Sequence, residues 1–139
     1  MPPIDRPLYA DSIMVDRGDH SPAVATPVRL QRSRRAGAIT PAGAVYVGRP
    51  TIWGNPFSQR GRIGHARSVI LYGAWLAGEL NDYILSRAGF GEHEIAALIR
   101  WRERLRVRLH HLRYFNLECW CPRTSPWCHA DVLLRVCNR

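Results

Sequence analysis

The stretch Gly43-Ala44-Val45-Tyr46-Val47-Gly48 predicts a short β-strand with a glycine at each end. β-Branched and aromatic residues favour strands, and glycine interrupts regular structure. Residues 48–57 follow at once and read Gly48-Arg49-Pro50-Thr51-Ile52-Trp53-Gly54-Asn55-Pro56-Phe57. Because this segment holds two glycines and two prolines, it predicts an irregular loop directly after the strand.

Hydrophobic periodicity on both sides of this stretch predicts the remaining elements. The predicted strands cover residues 28–32, 44–47 and 114–120. The predicted helices cover residues 66–88, 92–111 and 129–137. Together they indicate an α+β fold class, a small two- to three-stranded sheet packed against about three helices. The direction in which the strands pair stays open.

The composition of the 139-residue chain, 46% hydrophobic and 22% charged, fits a folded soluble protein. No apolar run approaches the ~20 residues that a membrane helix needs, and the first residues lack the apolar core of a secretory signal. We therefore expect a cytoplasmic protein with no membrane partner. Its predicted parts are a disordered, proline-rich tail over 1–27 and a single α+β domain over 28–139.

The charge of the chain is strongly positive, because 20 arginines outnumber 11 acidic residues and lysine is absent. A net charge of +9 favours a polyanionic partner, a nucleotide or a nucleic acid. A GC-rich genome would explain arginine in place of lysine, but not the excess of bases over acids. Arg100, Arg104 and Arg108 share one face of the second predicted helix and form a candidate nucleic-acid-binding surface. A solvated helix face is the alternative.

The loop over 48–57 is a candidate ligand site, because binding residues concentrate in loops that follow strands. The glycines would allow close approach of a ligand, and the arginine would hold a phosphate. The asparagine would read an amide or hydroxyl edge, and either aromatic ring would stack on a base. The candidate ligand-binding residues are Gly48, Arg49, Trp53, Gly54, Asn55 and Phe57. Alternatively, the aromatic rings fill the core beneath a rigid loop.

All four cysteines lie in the last 21 residues of the chain. Cys119 and Cys121 are two positions apart on a predicted strand and face the same side. A short loop then returns the chain at Cys128 and His129. Three thiolates and an imidazole are a zinc ligand set, so these four residues form a candidate metal site with zinc as the expected cofactor.

Two other interpretations of the cysteines stay open. Reduced cysteine is often plain core, which is the expectation for Cys137. Alternatively, Cys128 is a reactive thiol, because it precedes a predicted helix whose dipole lowers a thiol pKa, and His129 is adjacent. In that case Cys128 and Asp131 are the candidate catalytic residues. His65, before the first predicted helix, is expected to be a surface residue.

Two groups of motifs together resemble the family named domain of unknown function 4326, which occurs in bacteria, notably actinobacteria, and in their phages. They are Val45-Tyr46-Val47-Gly48-Arg49-Pro50 with Trp53-Gly54-Asn55-Pro56-Phe57, and Leu117-Glu118-Cys119-Trp120-Cys121 with Cys128-His129-Ala130-Asp131-Val132-Leu133. The resemblance covers roughly residues 28–138. It implies that the two regions meet in one pocket, and it implies no activity. The segment from Leu85 to Leu109 departs from the family as an enlarged insertion.

Taken together, these features predict a nucleotide- or nucleic-acid-binding domain, with the ligand loop beside the cysteine cluster. A nucleoside- or base-processing activity at that site stays open. The alternative is a non-enzymatic, zinc-stabilised DNA- or RNA-binding or regulatory module of phage or prophage origin, which uses the arginine face of the second helix. An adaptor that binds a host protein is a third interpretation.

Overall fold

The computed structural model describes residues 26–58 and 63–139. The strands are β1 (Arg29–Gln31), β2 (Ala44–Tyr46) and β3 (Asn116–Cys119). The α-helices are α1 (His65–Leu76), α2 (Asp82–Arg87), α3 (Glu92–Arg106) and α4 (His129–Cys137), and a 3-10 helix covers Leu109–Leu112. The predicted tail lies, up to residue 25, outside the described residues. Within these ranges, no helix combines the length and the apolar character needed to cross a membrane.

The three strands form one parallel sheet in the order β1-β3-β2. The predicted α+β class is therefore confirmed, and the structure adds the parallel direction. Side chains of a strand alternate between the two faces of the sheet. Leu117 and Cys119 enter the hydrophobic core, where α4 packs against β1 and β3, whereas Glu118 lies on the opposite face. Cys119 therefore lies next to the beginning of α4.

The prediction of one helix over 66–88 is wrong, because the chain divides there into α1 and α2. Gly78 has a φ of +80°, which no helix interior accommodates. Asn81 then caps α2, its Oδ1 accepting the backbone N–H of Ile84 at 2.9 Å. Apolar residues recur at helical spacing across the break, and periodicity alone therefore indicated a single element. In the structure, Tyr83 and Ile84 on α2 are exposed and Leu85 is buried instead.

Two other predicted elements are shorter than expected. The helix predicted over 92–111 ends at Arg106, and its last turn is replaced by the 3-10 helix, whose Leu112 is buried against α4. The strand predicted over 114–120 begins only at Asn116. Tyr114 has a φ of +72°, which is incompatible with a strand, and its N–H donates to the Oδ1 of Asn138 at 3.0 Å.

The core is built around four aromatic rings. The ring of Phe57 makes edge contacts with Trp75 and Phe90, with centroids 5.9 and 5.8 Å apart, and Trp75 contacts Trp101 at 5.8 Å. The indole N–H of Trp101 donates to the carbonyl oxygen of Ile52 at 2.7 Å. These contacts hold the loop over 48–57 against α1 and α3.

Candidate metal centre

Three thiols meet where β3 ends and α4 begins. The sulfur atoms of Cys119, Cys121 and Cys128 all lie within 4.8 Å of one another, close enough to hold a metal ion. Cys119 is the last residue of β3 and Cys128 is the N-cap of α4, and their Sγ atoms are 3.0 Å apart. Both are buried, Cys121 is half-buried, and all are free thiols. Cys137 lies apart from them in the core, as expected.

The thiols share their protons unequally. Hydrogen bonds from the thiols of Cys119 and Cys121 lower the pKa of Cys128, and contacts with His129 and the N–H of Ala130 lower it further. Hydrogen bonds with Cys121 and Cys128, together with burial, raise the pKa of Cys119. Cys128 is therefore the thiol of the cluster that loses its proton most readily. Because thiolates are the metal-binding and nucleophilic form of cysteine, the arrangement suits either chemistry.

Arg29 on β1 holds the loop between Cys121 and Cys128 in place. Its guanidinium donates to three backbone carbonyl oxygens, those of Pro122 at 3.2 Å, Arg123 at 3.0 Å and Ser125 at 2.8 Å. Burial lowers the pKa of Arg29, but the Cys128 thiolate and the Asp131 carboxylate outweigh this effect and raise it. No local sequence pattern marks Arg29 as a site residue, and our sequence analysis missed it.

Asp131, a predicted catalytic residue, forms an ion pair with Arg29 at 3.1 Å. Burial raises the pKa of Asp131 although Arg29 opposes the shift. Asp131 and Cys128 also line a cavity of about 420 Å³ between α1 and α4. The two predicted catalytic residues are thus brought together, although Cys128 is only 1% exposed.

The histidine predicted as the fourth ligand lies at the edge of the cluster. The Nε2 of His129 donates to the carbonyl oxygen of Val47 at 2.8 Å, and the ring packs edge-on against Tyr72 with centroids 5.4 Å apart. His129 does not belong to the group of ligand atoms that lie within 4.8 Å of one another. Its bond to Val47 does, however, join the cysteine region to the chain just before the loop over 48–57.

A second histidine approaches the cluster from α1. The Nε2 of His65 lies 3.9 Å from the Sγ of Cys121 and 2.7 Å from the carbonyl oxygen of Trp127. His65 is exposed, which agrees with the sequence-based expectation, but its position beside the thiols was missed. It lies 56 positions from Cys121 along the chain, so no ligand-spacing rule could have indicated it.

Three side chains of the loop over 48–57 point into the protein and make their contacts there. The amide of Asn55 donates to the carbonyl oxygen of Ser68 at 3.2 Å, and its Oδ1 accepts the N–H of Phe57 at 2.9 Å. Trp53 is buried and Phe57 is fully buried. These positions agree with the alternative interpretation, in which the aromatic rings fill the core beneath a rigid loop. Buried side chains are not available to stack on a base or to bind its polar edge.

Neighbouring side chains leave no room for a Cβ at the two glycines of the loop. A Cβ at Gly48 would collide with the ring of Tyr46, and a Cβ at Gly54 would come within 2.7 Å of the Cγ of Arg49. The space that we expected a ligand to occupy is therefore filled by the protein. Arg49 itself is exposed and makes no ion pair with any described residue, which leaves its guanidinium available to an anion.

Two of the three arginines predicted to share a helix face lie on α3. Arg100 and Arg104 are exposed there, whereas Arg108 lies beyond the end of α3, because the helix stops at Arg106. Arg108 is exposed as well and donates to the carbonyl oxygen of Arg104 at 2.8 Å. α3 packs against α1 and α2, whereas the thiols belong to β3, α4 and the loop between them. The structure thus places this face and the cysteine cluster on different elements.

A further basic surface, absent from the sequence-based candidates, lies where the strands end. The guanidinium carbon of Arg32, just after β1, lies 4.6 Å from the ring centroid of Tyr46 and 5.5 Å from that of Trp120. Arg34 lies 4.6 Å from the same Trp120 ring, which is 39% exposed. Below them, Glu118 accepts hydrogen bonds from Arg32 at 2.9 Å and Thr40 at 2.8 Å. We call Arg32, Arg34, Tyr46 and Trp120 the arginine–aromatic surface.

Fold and site define an α+β protein with a parallel three-stranded sheet and a thiol cluster that could hold a metal ion. The chain belongs to the family described as Domain of unknown function (DUF4326), whose pattern matches residues 30–139. The resemblance carried by the loop and cysteine motifs is therefore confirmed. No curated protein and no solved structure matches the chain.

Proposed function

We propose that this protein is a zinc-stabilised module that binds single-stranded nucleic acid through the arginine–aromatic surface. The observation that carries the proposal is the stacking of two guanidinium groups, those of Arg32 and Arg34, on the half-exposed ring of Trp120. Single-stranded nucleic acids are bound by such combinations, since bases stack on aromatic rings and arginines contact the phosphates.

The position of this surface in the fold supports a ligand site. Arg32, Tyr46 and Trp120 stand at or just beyond the carboxyl ends of β1, β2 and β3. In open sheets of parallel strands, ligands bind outside the carboxyl ends of the strands. Tyr46 and Trp120 lie on the face of the sheet that carries Glu118, opposite the core, and both side chains are partly exposed there.

The charge balance of the surface favours a polyanion. The carboxylate of Glu118 is neutralised by Arg32. Arg34 beside Trp120 and the exposed Arg35 make no ion pair with any residue that the structure describes. A chain with a net charge of +9 also attracts a phosphate backbone over a longer range. The contribution of the phosphates makes the affinity fall as salt is added.

In this proposal the zinc ion is held by Cys119, Cys121 and Cys128 and shapes the binding surface. Trp120 lies between two of these ligands along the chain. Fixing the sulfur atoms on either side of it would fix the backbone from which the indole projects. The free thiols also suit the cytoplasm, where cysteines stay reduced and available to a metal.

The experiment is a titration of the zinc-loaded protein with a short, fluorescently labelled single-stranded oligonucleotide of mixed sequence, followed by anisotropy. Replacing Trp120 by Ala should weaken binding by roughly 5- to 100-fold, because one base–aromatic stack contributes about 1–3 kcal/mol. Tyr83→Ala is the matched aromatic control, since Tyr83 is 71% exposed on α2. Arg34→Ala should weaken binding more than Arg87→Ala, which removes the same charge from α2.

Two results would contradict the proposal. If Trp120→Ala and Tyr83→Ala bind equally well, the indole makes no contact with the nucleic acid. If only the combined replacement of Arg100, Arg104 and Arg108 by Ser abolishes binding, the nucleic acid lies on α3 instead.

A nucleoside- or base-processing enzyme is a second candidate, favoured by the cavity beside Cys128 and Asp131. In that case Cys128 would act as a nucleophile, and the exposed Arg49 would contact a phosphate. The two candidates differ in thiol chemistry. The enzyme predicts that one thiol of the protein as purified reacts rapidly with iodoacetamide at neutral pH, whereas the zinc module predicts protection of all three clustered thiols until a chelator is added.

A further inference from the structure

We infer that His65 is the fourth ligand of the metal centre, so that the site is Cys119, Cys121, Cys128 and His65 rather than a set completed by His129. The inference rests on the zinc site of the proposed function and deepens it. It makes the site a closed one that ties the beginning of α1 to the loop between β3 and α4.

The distance between His65 and the thiols fits a shared metal ion. With Zn–S bonds of about 2.3 Å and Zn–N bonds of about 2.0–2.1 Å, tetrahedral geometry puts a ligand nitrogen about 3.6 Å from a ligand sulfur. The Nε2 of His65 lies 3.9 Å from the Sγ of Cys121. His65 does not yet belong to the group of ligand atoms that lie within 4.8 Å of one another, so its ring has to turn further toward Cys119 and Cys128 to complete the site. The side chain is exposed at the beginning of α1, which leaves it room for that rotation.

His129 is poorly disposed to take that place. Its Nε2 is engaged by the carbonyl oxygen of Val47, and its ring is packed against Tyr72. Neither of its ring nitrogens lies within 4.8 Å of all three sulfur atoms. A ring nitrogen that donates to a carbonyl oxygen has to give up that bond before it can bind a metal. His65 can do so by turning in solvent, whereas His129 would also have to leave its packing contact with Tyr72.

Metal binding changes the protonation of His65 in a balanced way. Its Nε2 now donates to the carbonyl oxygen of Trp127 at 2.7 Å. Ligation through Nε2 places the ring proton on Nδ1 and replaces this hydrogen bond by the bond to zinc. The protons that the cysteine ligands carry as thiols are released to solvent, as metal binding by cysteine requires.

The site closed by His65 has a structural consequence. Four protein ligands leave no open coordination position, which is the arrangement of structural rather than catalytic zinc. The ligands come from the beginning of α1, from the end of β3, from the loop that follows it and from the N-cap of α4. The metal would therefore tie α1 and α4 to the carboxyl end of β3, where Trp120 lies.

The test compares the metal affinity and the Co²⁺ absorption spectrum of three variants with those of the wild type. His65→Ala should lower Zn²⁺ affinity by at least about 100-fold, more than the 10- to 100-fold typical of a residue outside the ligand shell. It should also change the ligand-field bands of the Co²⁺-loaded protein, since water replaces imidazole. His65→Cys should restore tight binding with a fourth thiolate–cobalt charge-transfer contribution. His129→Ala should keep the cobalt spectrum of the wild type.

Each other outcome overturns the inference. If His129→Ala changes the cobalt spectrum and His65→Ala does not, His129 is the ligand. If neither variant changes it, the fourth position belongs to solvent. If the wild type binds neither Zn²⁺ nor Co²⁺, the zinc part of the proposed function fails as well. Circular dichroism of the variants controls for folding, and His65 is exposed at the first position of α1, where substitution leaves the core intact.

Discussion

The Sγ of Cys119 lies 3.0 Å from the Sγ of Cys128, nine positions further along the chain. Two thiolates on a tetrahedral zinc ion are about 3.8 Å apart, given Zn–S bonds of about 2.3 Å. The two sulfur atoms therefore need to separate by less than 1 Å to become ligands. The backbone already places them, since one closes β3 and the other caps α4.

Zinc is expected to stabilise the protein against heat. Because the folded chain assembles the thiols and the unfolded chain does not, zinc at about 1,000 times its dissociation constant would add about 4 kcal/mol. For a chain of this size that corresponds to a rise in Tm of roughly 8–15 °C. Differential scanning fluorimetry with zinc or with a chelator measures it. Cys137→Ala, which changes a core thiol outside the cluster, should respond to zinc like the wild type; an identical Tm with zinc and with chelator would contradict the metal site.

Arg29 is expected to stabilise the loop between the cysteines through the shape of its guanidinium rather than its charge. Replacement by Lys keeps the charge but cannot donate to three carbonyl oxygens and to Asp131 together. We expect Arg29→Lys to cost about 1–3 kcal/mol in urea unfolding. Arg123→Lys is the control, since Arg123 is exposed on the same loop. Equal stability of the two variants would show that charge alone suffices.

Arg32 is expected to matter for stability as well as for binding. Its removal leaves the Glu118 carboxylate, 4% exposed, with Thr40 as its side-chain partner. Breaking a buried pair from one side costs about 3–5 kcal/mol, and the part-exposed guanidinium reduces this to roughly 2–3 kcal/mol for Arg32→Ala. Arg34→Ala, which removes a contact with the half-exposed Trp120 ring, should stay within about 0.5 kcal/mol of the wild type. Urea unfolding distinguishes them, and equal losses would mean that Glu118 does not depend on Arg32.

Asn55 is expected to act on stability and not on ligand binding. Asn55→Ala leaves the buried N–H of Phe57 and the carbonyl oxygen of Ser68 without this partner, at a cost of about 1–3 kcal/mol. Arg49→Ala removes an exposed side chain of the same loop and should be nearly neutral. Thermal unfolding and oligonucleotide titration are measured on both. An Asn55→Ala protein of normal stability that no longer binds would return the loop to the role of a ligand site.

Gly78 is expected to be the point that divides α1 from α2. Alanine there adopts a φ of +80° only at a cost, and its Cβ would lie 2.8 Å from the Nη2 of Arg102. Gly78→Ala should lower stability by about 1 kcal/mol or more. Gly64→Ala is the matched control, because nothing lies within 4 Å of its Cβ and its φ is −61°. A neutral Gly78→Ala would mean that the chain can pass from α1 to α2 without the left-handed residue.

Local features of the sequence were sufficient for several elements. The strand at Ala44–Tyr46 and the helix at His129–Cys137 follow from residue types, glycines and periodicity within a few positions. Periodicity did not predict the helix break at Gly78 or the late start of β3 after Tyr114. Both residues have a positive φ, which ends a helix or a strand without changing the apolar pattern of the sequence. The three thiols were predictable for the same local reason, since they lie within ten positions of one another.

The residues around the thiols, by contrast, depended on long-range packing. Arg29 reaches Asp131 across 102 positions and His65 reaches Cys121 across 56. Likewise, the parallel order β1-β3-β2 brings Arg32, Tyr46 and Trp120 to one edge from three distant segments. The amino-acid order alone thus established the class of fold, the terminal helix and the cysteine triad, because each depends on near neighbours. The approach of His65 to the thiols, the contacts of Arg29 and the arginine–aromatic surface depend on the tertiary structure. Their side chains are far apart along the chain and meet only by packing, so no periodic pattern in the sequence indicates them.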